Sequence, residues 1–183
     1  MSELMMFYIA IPAFATTMVL EYWWIHRRHQ ISKTTTLGYE TKDTAASLAM
    51  GIGYLGCRAI WSLASVPFYF IIYEMRVFTI ELTPMSFIAI FILQDFLYYW
   101  YHRACHESRI LWAGHVNHHS SQHYNLSTAL RQSWTSHFSA IFFYIPIPLI
   151  GFHPIMLGTS ALLHLFYQYW IHTEAIGQMP RWF

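Results

Sequence analysis

Hydrophobic residues fall into five long runs along this chain, and charged residues concentrate between the runs. The runs cover residues 5–25, 44–73, 84–101, 137–152 and 154–171. As α-helices, the first three are long enough to cross the roughly 30 Å hydrocarbon core of a bilayer. The last two are shorter and flank the sequence Gly151-Phe152-His153-Pro154, which predicts a helical hairpin that is only partly inserted. The pattern predicts an all-α integral membrane bundle with four or five membrane segments.

Two of the runs have alternative interpretations. The first resembles a cleaved signal peptide at Ala13-Phe14-Ala15, but its early charge is Glu3 rather than a basic residue. Aromatic residues followed by Arg27 and Arg28 favour a membrane span with an interfacial anchor. The second run is too long for one straight span. The sequence is compatible with a single long helix or with a span followed by a helix that bends near Pro67 and lies along the membrane surface.

Composition supports a chain whose solvent is lipid. Hydrophobic residues make up 56% of the sequence and charged residues 10%, whereas an ordinary soluble domain is about 25% charged. The net charge of +1 gives no basic face for nucleic acid. The two cysteines, Cys57 and Cys105, form no disulfide framework.

Basic residues predict the orientation of the bundle. Of the basic residues outside the hydrophobic runs, all except Arg76 fall on one side of the predicted topology. They are Arg27, Arg28, Lys33, Lys42, Arg103, Arg109, Arg131 and Arg181. The positive-inside rule makes their side cytoplasmic, and the same side receives most of the histidines.

Two clusters of histidine lie at that face. His102 and His106 are four residues apart, so both imidazoles project from one helix face. The second cluster contains His115, His118 and His119, which helical spacing would also bring together. Residues 107–114 between the clusters allow a turn that brings the two sets face to face, and His172 closes the last run on the same side.

This grouping predicts a metal site. A cage of five or more imidazoles exceeds the needs of one tetrahedral zinc and favours two metals, although imidazole also suits copper, iron and nickel. Isolated histidines are more often structural, and we expect this of the remaining six. They are His26, His29, His123, His137, His153 and His164.

Three further residues are candidates for the same site. Asp95 lies about 20° from His102 around a helix, and an aspartate within a membrane span is functional by default, so we predict that it orients His102. Tyr98 lies one turn before His102 and is expected to line the same cavity. Glu107 points off that face, so it could equally be a solvated helix end.

Two other motifs are excluded as sites. Residues 51–56 match the dinucleotide fingerprint GxGxxG, but they lie inside an apolar run rather than between a strand and a helix. Small residues recur there every fourth position and predict a helix-packing face instead. These are Ala45, Ala49, Gly53 and Cys57. His106-Glu107 begins like the zinc-protease motif HExxH, but Ile110 occupies the position of the second histidine.

The histidine clusters, with residues 95–100 before them, resemble the fatty acid hydroxylase and sterol desaturase superfamily. Residues 111–115, 124–133 and 167–174 are similar to its alkylglycerol monooxygenase branch. The resemblance is specific from about residue 94, which divides the chain into N-terminal membrane segments, 1–93, and a histidine-box region, 94–183.

The resemblance implies a lipid-modifying iron oxygenase. Its members hold two irons in histidine boxes at the cytosolic membrane face and use O₂ with an external electron donor. The alkylglycerol branch hydroxylates the carbon next to an ether oxygen and uses tetrahydrobiopterin. By this resemblance the ligands are His102, His106, His115, His118 and His119, with His172 as a further one.

One feature departs from the family pattern. The family has a further HxxHH box downstream, and residues 1–183 contain no second HxxHH. We therefore expect a C-terminally incomplete ligand set, so that these residues alone could be an inactive fragment.

The sequence leaves two classes of function. The first is an oxygenase that hydroxylates or desaturates a lipid, or cleaves an ether bond. The alternative is a non-redox membrane metalloprotein, such as a zinc-dependent lipid hydrolase or a metal carrier.

Overall fold

A computed structural model describes residues 3–32, 38–176 and 180–181, and these residues form helices with no strand among them. The predicted all-α class is therefore confirmed for this part of the chain. The α-helices are α1 (Glu3–Ser32), α2 (Thr41–Glu74), α3 (Pro84–Glu107), α4 (Arg109–His115), α5 (Ser136–Phe143), α6 (Pro146–Ile150) and α7 (Pro154–Trp170). Two short 3₁₀ helices, His118–Ser120 and Thr128–Leu130, lie in the segment between α4 and α5. Lys33, one of the residues that set the predicted orientation, lies outside the described residues.

The second hydrophobic run forms one continuous helix. α2 begins where the Glu40 carboxylate accepts a hydrogen bond from the Asp43 backbone N–H at 2.6 Å, and it continues through Pro67 to Glu74. The possible separate piece beyond Pro67 is therefore not formed. Unbroken helix satisfies the backbone polar groups within the segment, which an apolar surrounding requires.

α2 has the exposed surface of a membrane helix. Large apolar side chains project from it, including Ile52 at 73% exposure and Leu63 at 78%. Among the described residues, it is the one helix both long and apolar enough to cross a membrane. The number of further membrane segments stays a prediction.

The two shorter runs form the predicted hairpin. α5 and α6 together cover the first arm and α7 the second, with the reversal at Gly151. Gly151 has φ of +131°, and a Cβ there would lie 2.1 Å from the Phe78 carbonyl oxygen. The tip of the hairpin therefore requires glycine, because the loop after α2 passes directly against its backbone.

A hydrophobic core holds the hairpin against α3. Ile90 of α3 and Ile147 of α6 are fully buried and pack with residues at the start of α7. Those residues are Phe152, Met156 and Leu157. This packing joins α3 and α7 near their N-terminal ends, and the candidate ligands His102, His106 and His172 lie toward the opposite ends of the two helices.

The small residues of α2 accommodate the segment that follows the second histidine cluster. A Cβ on Gly53 would lie 2.4 Å from the Trp134 ring, and the Trp134 indole donates to the Met50 carbonyl at 3.0 Å. Gly56, three positions along, has nothing within 4 Å of its Cβ position. Of the glycines in the GxGxxG match, Gly53 thus permits close packing against Trp134, whereas Gly56 has no neighbour that requires glycine.

We expect Gly53→Ala to destabilise the protein by about 1–3 kcal/mol, because the anchored indole cannot move aside without losing its hydrogen bond. Gly56→Ala is the matched control and should stay within about 1 kcal/mol of wild type or stabilise the helix slightly. Thermal unfolding in detergent measures both. Equal effects of the two substitutions would contradict the packing assignment.

Candidate metal centre

The first two candidate ligands lie in the last two turns of α3. Helical spacing places His102 and His106 one above the other, with their Nε2 atoms 3.1 Å apart. α3 ends at Glu107, Ser108 adopts an extended backbone conformation, and α4 begins at Arg109. This turn brings His115, at the end of α4, back against the end of α3.

Four imidazoles converge at this turn. The Nε2 atoms of His115 and His119 are 3.1 Å apart. Potential ligand atoms of His102, His106, His115 and His119 all lie within 4.8 Å of one another. We call this group the four-histidine cluster. The structure thus brings the two sequence clusters face to face, as the intervening turn predicts.

The remaining two candidate ligands form a separate pair. The Nε2 atoms of His118 and His172 are 3.2 Å apart. Helical spacing predicts that His118 lies beside His115 and His119, and its ring is 5.4 and 5.1 Å from theirs. α4 ends at His115 and His118 begins a 3₁₀ helix, in which its Nε2 faces His172. His172 follows α7 directly, so this pair joins two distant parts of the chain.

The hydrogen-bond partners of His118 and His172 determine which nitrogen of each imidazole carries the proton. His118 Nδ1 lies 2.9 Å from the Arg131 carbonyl oxygen, and His172 Nδ1 lies 2.7 Å from the Gln168 carbonyl oxygen. A carbonyl only accepts hydrogen bonds, so in each neutral imidazole Nδ1 carries the proton. Both Nε2 atoms then present lone pairs to each other. A cation between them would satisfy both, and backbone carbonyls are common orienting partners of metal-bound histidine.

The lowered pKa values of His115 and His118 keep both imidazoles in the neutral form that binds metal. Burial, with the adjacent imidazoles adding to it, lowers the pKa of His115 to about 3. Burial also lowers the pKa of His118 to about 4, despite its hydrogen bond to the carbonyl of Arg131. Metal binding requires neutral imidazole, so protons compete for these side chains only in strongly acidic solution.

A cavity of about 540 Å³ opens between the ends of α3 and α7. This volume is in the range of small-molecule sites. The cavity reaches both histidine groups and is otherwise lined equally by aromatic or apolar side chains and by polar ones, among them Asp95, Arg103 and Gln168. Its lining includes His102, His118, His119, His172, Tyr98, Tyr167 and Ile171.

The three other predicted site residues have different surroundings. The Tyr98 hydroxyl lies 3.3 Å from His102 Nδ1, so the partner of that ligand within α3 is Tyr98. Asp95 lines the cavity, and its Oδ1 lies 3.2 Å from Nε2 of the buried His164. Glu107 accepts a hydrogen bond from Arg103 Nε at 2.8 Å on the exposed side of α3. The predicted action of Asp95 on His102 stays a prediction.

The histidines expected to be structural take varied places. His153 caps α7 by accepting from the Ile155 N–H at 3.2 Å, and His137 stacks on Tyr54. His164 differs, because it lies beside Asp95.

The sequence pattern did not identify Glu21 and Arg131 as buried charged residues. They contact the segments that carry His172 and His118, respectively. Glu21 interrupts the first apolar run, which is the signal that could have identified it.

The chain is similar to known proteins over the part that carries these histidines. The profile of the family described as Fatty acid hydroxylase matches residues 87–183. Alkylglycerol monooxygenase of Danio rerio is 52% identical over 85 residues, covering 46% of this chain and 19% of that protein. The Homo sapiens protein of the same name is 45% identical over 97 residues, covering 53% of this chain and 22% of that protein. The match thus spans about a fifth of the length of these relatives, and no solved structure matches the chain.

Proposed function

Because the chain belongs to the fatty acid hydroxylase family, we propose that it carries part of the metal centre of a membrane oxygenase that oxidises a lipid C–H bond with O₂. The observation that carries this proposal is the convergence of imidazole Nε2 atoms. The four-histidine cluster lies at the end of α3, and the His118–His172 pair presents two lone pairs to each other. The two Nε2 atoms of the pair have no proton to share between them, because each Nδ1 donates to a carbonyl, and a metal ion would satisfy both.

The residues present fit two metals. The four-histidine cluster would hold one ion, and His118 with His172 would contribute to a second. We propose iron for both, since the family resemblance implies it and imidazole is a suitable ligand. Bound iron would supply the activation of O₂ that no protein side chain provides. The chain's own part is to hold the ligands, through Tyr98 and the carbonyls of Arg131 and Gln168, and to form the cavity beside them.

The membrane arrangement follows the predicted topology. We propose four or five membrane segments, with the metal centre at the cytoplasmic face. Support comes from the exposed apolar surface of α2 and from the six candidate ligands, which lie in the last two turns of α3, at the end of α4 and beyond it, and after α7. A C–H bond within the bilayer and metals at its surface would then meet in the cavity between α3 and α7. Electrons would come from an external donor.

We further propose an alkylglycerol as substrate, with tetrahydrobiopterin as reductant. The support is the identity of 52% over 85 residues and of 45% over 97 residues with two alkylglycerol monooxygenases. The alternative of a non-redox zinc hydrolase or metal carrier has no comparable support, since these relatives are monooxygenases by name.

Product analysis tests the substrate proposal. Membranes containing the full-length protein should convert a long-chain alkylglycerol to glycerol and a fatty aldehyde, in a reaction that requires O₂ and tetrahydrobiopterin. A free fatty acid of equal chain length is the matched control substrate and should remain unchanged. A hydroxylated fatty acid, formed while the ether lipid stays intact, would keep the oxygenase proposal and contradict the alkylglycerol one.

A further inference from the structure

Two carboxylates of the N-terminal helices, the buried Glu21 and the half-buried Asp43, reach the segments that carry His172 and His118. Glu21 lies on α1 and Asp43 on α2, both outside the part of the chain that the family profile matches. We propose that these two acids are positioning residues, with Asp43 fixing the orientation of His118 and Glu21 that of His172. The proposal rests on the proposed metal-binding role of the two histidines.

Asp43 acts through Arg131. The Arg131 guanidinium is buried, and its Nη2 donates to Asp43 Oδ1 at 2.7 Å and to the Asp43 carbonyl at 2.9 Å. Its Nε donates to Ser47 Oγ at 3.1 Å, also on α2. The carbonyl of the same Arg131 accepts the hydrogen bond from His118 Nδ1. The side chain thus anchors the residue to α2 while its backbone orients the imidazole.

The same ion pair holds the chain on the other side of His118. Arg131 Nη1 donates to Ser120 Oγ at 2.9 Å, and the Ser121 hydroxyl donates to Asp43 Oδ2 at 2.7 Å. Both carboxylate oxygens of Asp43 are therefore engaged with the segments that surround His118. An ion pair with additional hydrogen bonds in a buried site gives one geometry rather than several, which a metal ligand requires.

Glu21 contacts the segment that carries His172. Its side chain is 6% exposed, and its Oε1 accepts a hydrogen bond from the hydroxyl of Thr173, the residue after His172. Its Oε2 accepts from the Leu126 N–H at 2.8 Å and from the Tyr39 hydroxyl at 2.5 Å. Three donors from three separate segments thus meet on one carboxylate of α1.

These contacts predict that each of the two acids affects one histidine and leaves the other unchanged. Loss of the Asp43 anchor should free the Arg131 carbonyl and affect His118, while loss of the Glu21 anchor should affect His172. A general structural role would instead disturb both histidines together. The tautomer of each imidazole reports the difference, since the hydrogen bond made by Nδ1 determines which nitrogen carries the proton.

The test is ¹⁵N NMR of the full-length protein, labelled at histidine, in detergent at pH 8 and without metal. In wild type, His118 and His172 should both show a protonated Nδ1. Asp43→Asn should shift His118 toward the other tautomer and leave His172 unchanged. Thr173→Val removes the hydroxyl that donates to Glu21 and accepts from the Ala175 N–H, and it should do the reverse. Glu74→Gln is the control, because Glu74 is an exposed acid at the far end of α2.

Asp43→Asn leaves the Arg131 charge buried without its partner and could unfold the protein. The double variant Asp43→Asn with Arg131→Met removes that charge and should give the same selective change at His118.

In metal-loaded protein, these changes should weaken metal binding at the pair by ~10–100-fold. Unchanged tautomers in all variants, or equal changes at both histidines, would overturn the proposal. Selective tautomer changes in a protein that binds no metal at the pair would overturn the metal-binding role on which the proposal rests, while leaving the anchoring contacts themselves in place.

Discussion

His118→Ala in the full-length protein is expected to abolish both iron loading at the His118–His172 pair and turnover. The substitution removes one of two facing Nε2 atoms, and the carbonyl of Arg131 loses the imidazole that it orients. Water cannot replace the ligand at a fixed position. The loss should therefore exceed the ~10–100-fold that typically follows the removal of an orienting partner. Iron per chain and product formation measure the effect.

His123→Ala is the matched control for this substitution. His123 lies five positions from His118, but its imidazole belongs to neither the four-histidine cluster nor the pair. Its backbone carbonyl accepts hydrogen bonds from Ser121 and Thr128, and alanine preserves that carbonyl. The variant should therefore keep most of its iron and activity. If the two alanine variants behave alike, the assignment of ligands by position and geometry is wrong.

Removal of the Tyr98 hydroxyl is the second substitution with a large expected effect. Tyr98→Phe deletes the group that lies 3.3 Å from His102 Nδ1 and leaves the ring in place. Metal affinity of the four-histidine cluster should fall by ~10–100-fold, since an unoriented imidazole binds less favourably. Tyr99→Phe is the control, because the Tyr99 hydroxyl contacts the exposed Arg103 instead. Metal titration of the two variants gives the comparison.

Asp95→Asn tests the predicted role of this aspartate beside the same ligand. The sequence places Asp95 on the face of His102, while its close contact is with His164. A metal affinity reduced as far as in Tyr98→Phe would support an effect on His102 through the cavity. Unchanged affinity and activity would remove Asp95 from the site and leave it as a partner of His164.

Local periodicity predicted the parts of the site that depend on one helix. The spacing of His102 and His106 was sufficient to place both imidazoles on one face, because α3 is regular to its end. The hairpin was predictable as well, since Gly151 interrupts two apolar runs at the position where the chain reverses. These features depend on contacts between residues close in sequence.

The pairing of His118 with His172 depends on contacts that no local pattern contains. After His115 the chain changes from α-helix to 3₁₀ helix, and the Nε2 of His118 faces His172, although the His118 ring still lies 5.1 Å from the His119 ring. The carbonyl that orients it lies 13 residues away, and Glu21 meets Thr173 across a separation of 152 residues. Such partners are set by the packing of α1, α2 and α7, so a single sequence does not reveal them.

The identity of the bound metal tests the central claim most directly. Full-length protein, purified from membranes with its native metal, should contain iron and consume O₂ when a lipid substrate and reductant are added. His118→Ala and His123→Ala provide the paired controls in the same assay. Iron in wild type and His123→Ala, with its loss from the His118–His172 pair in His118→Ala, is the predicted result. Zinc as the sole metal, with no lipid-dependent consumption of O₂, would contradict the account.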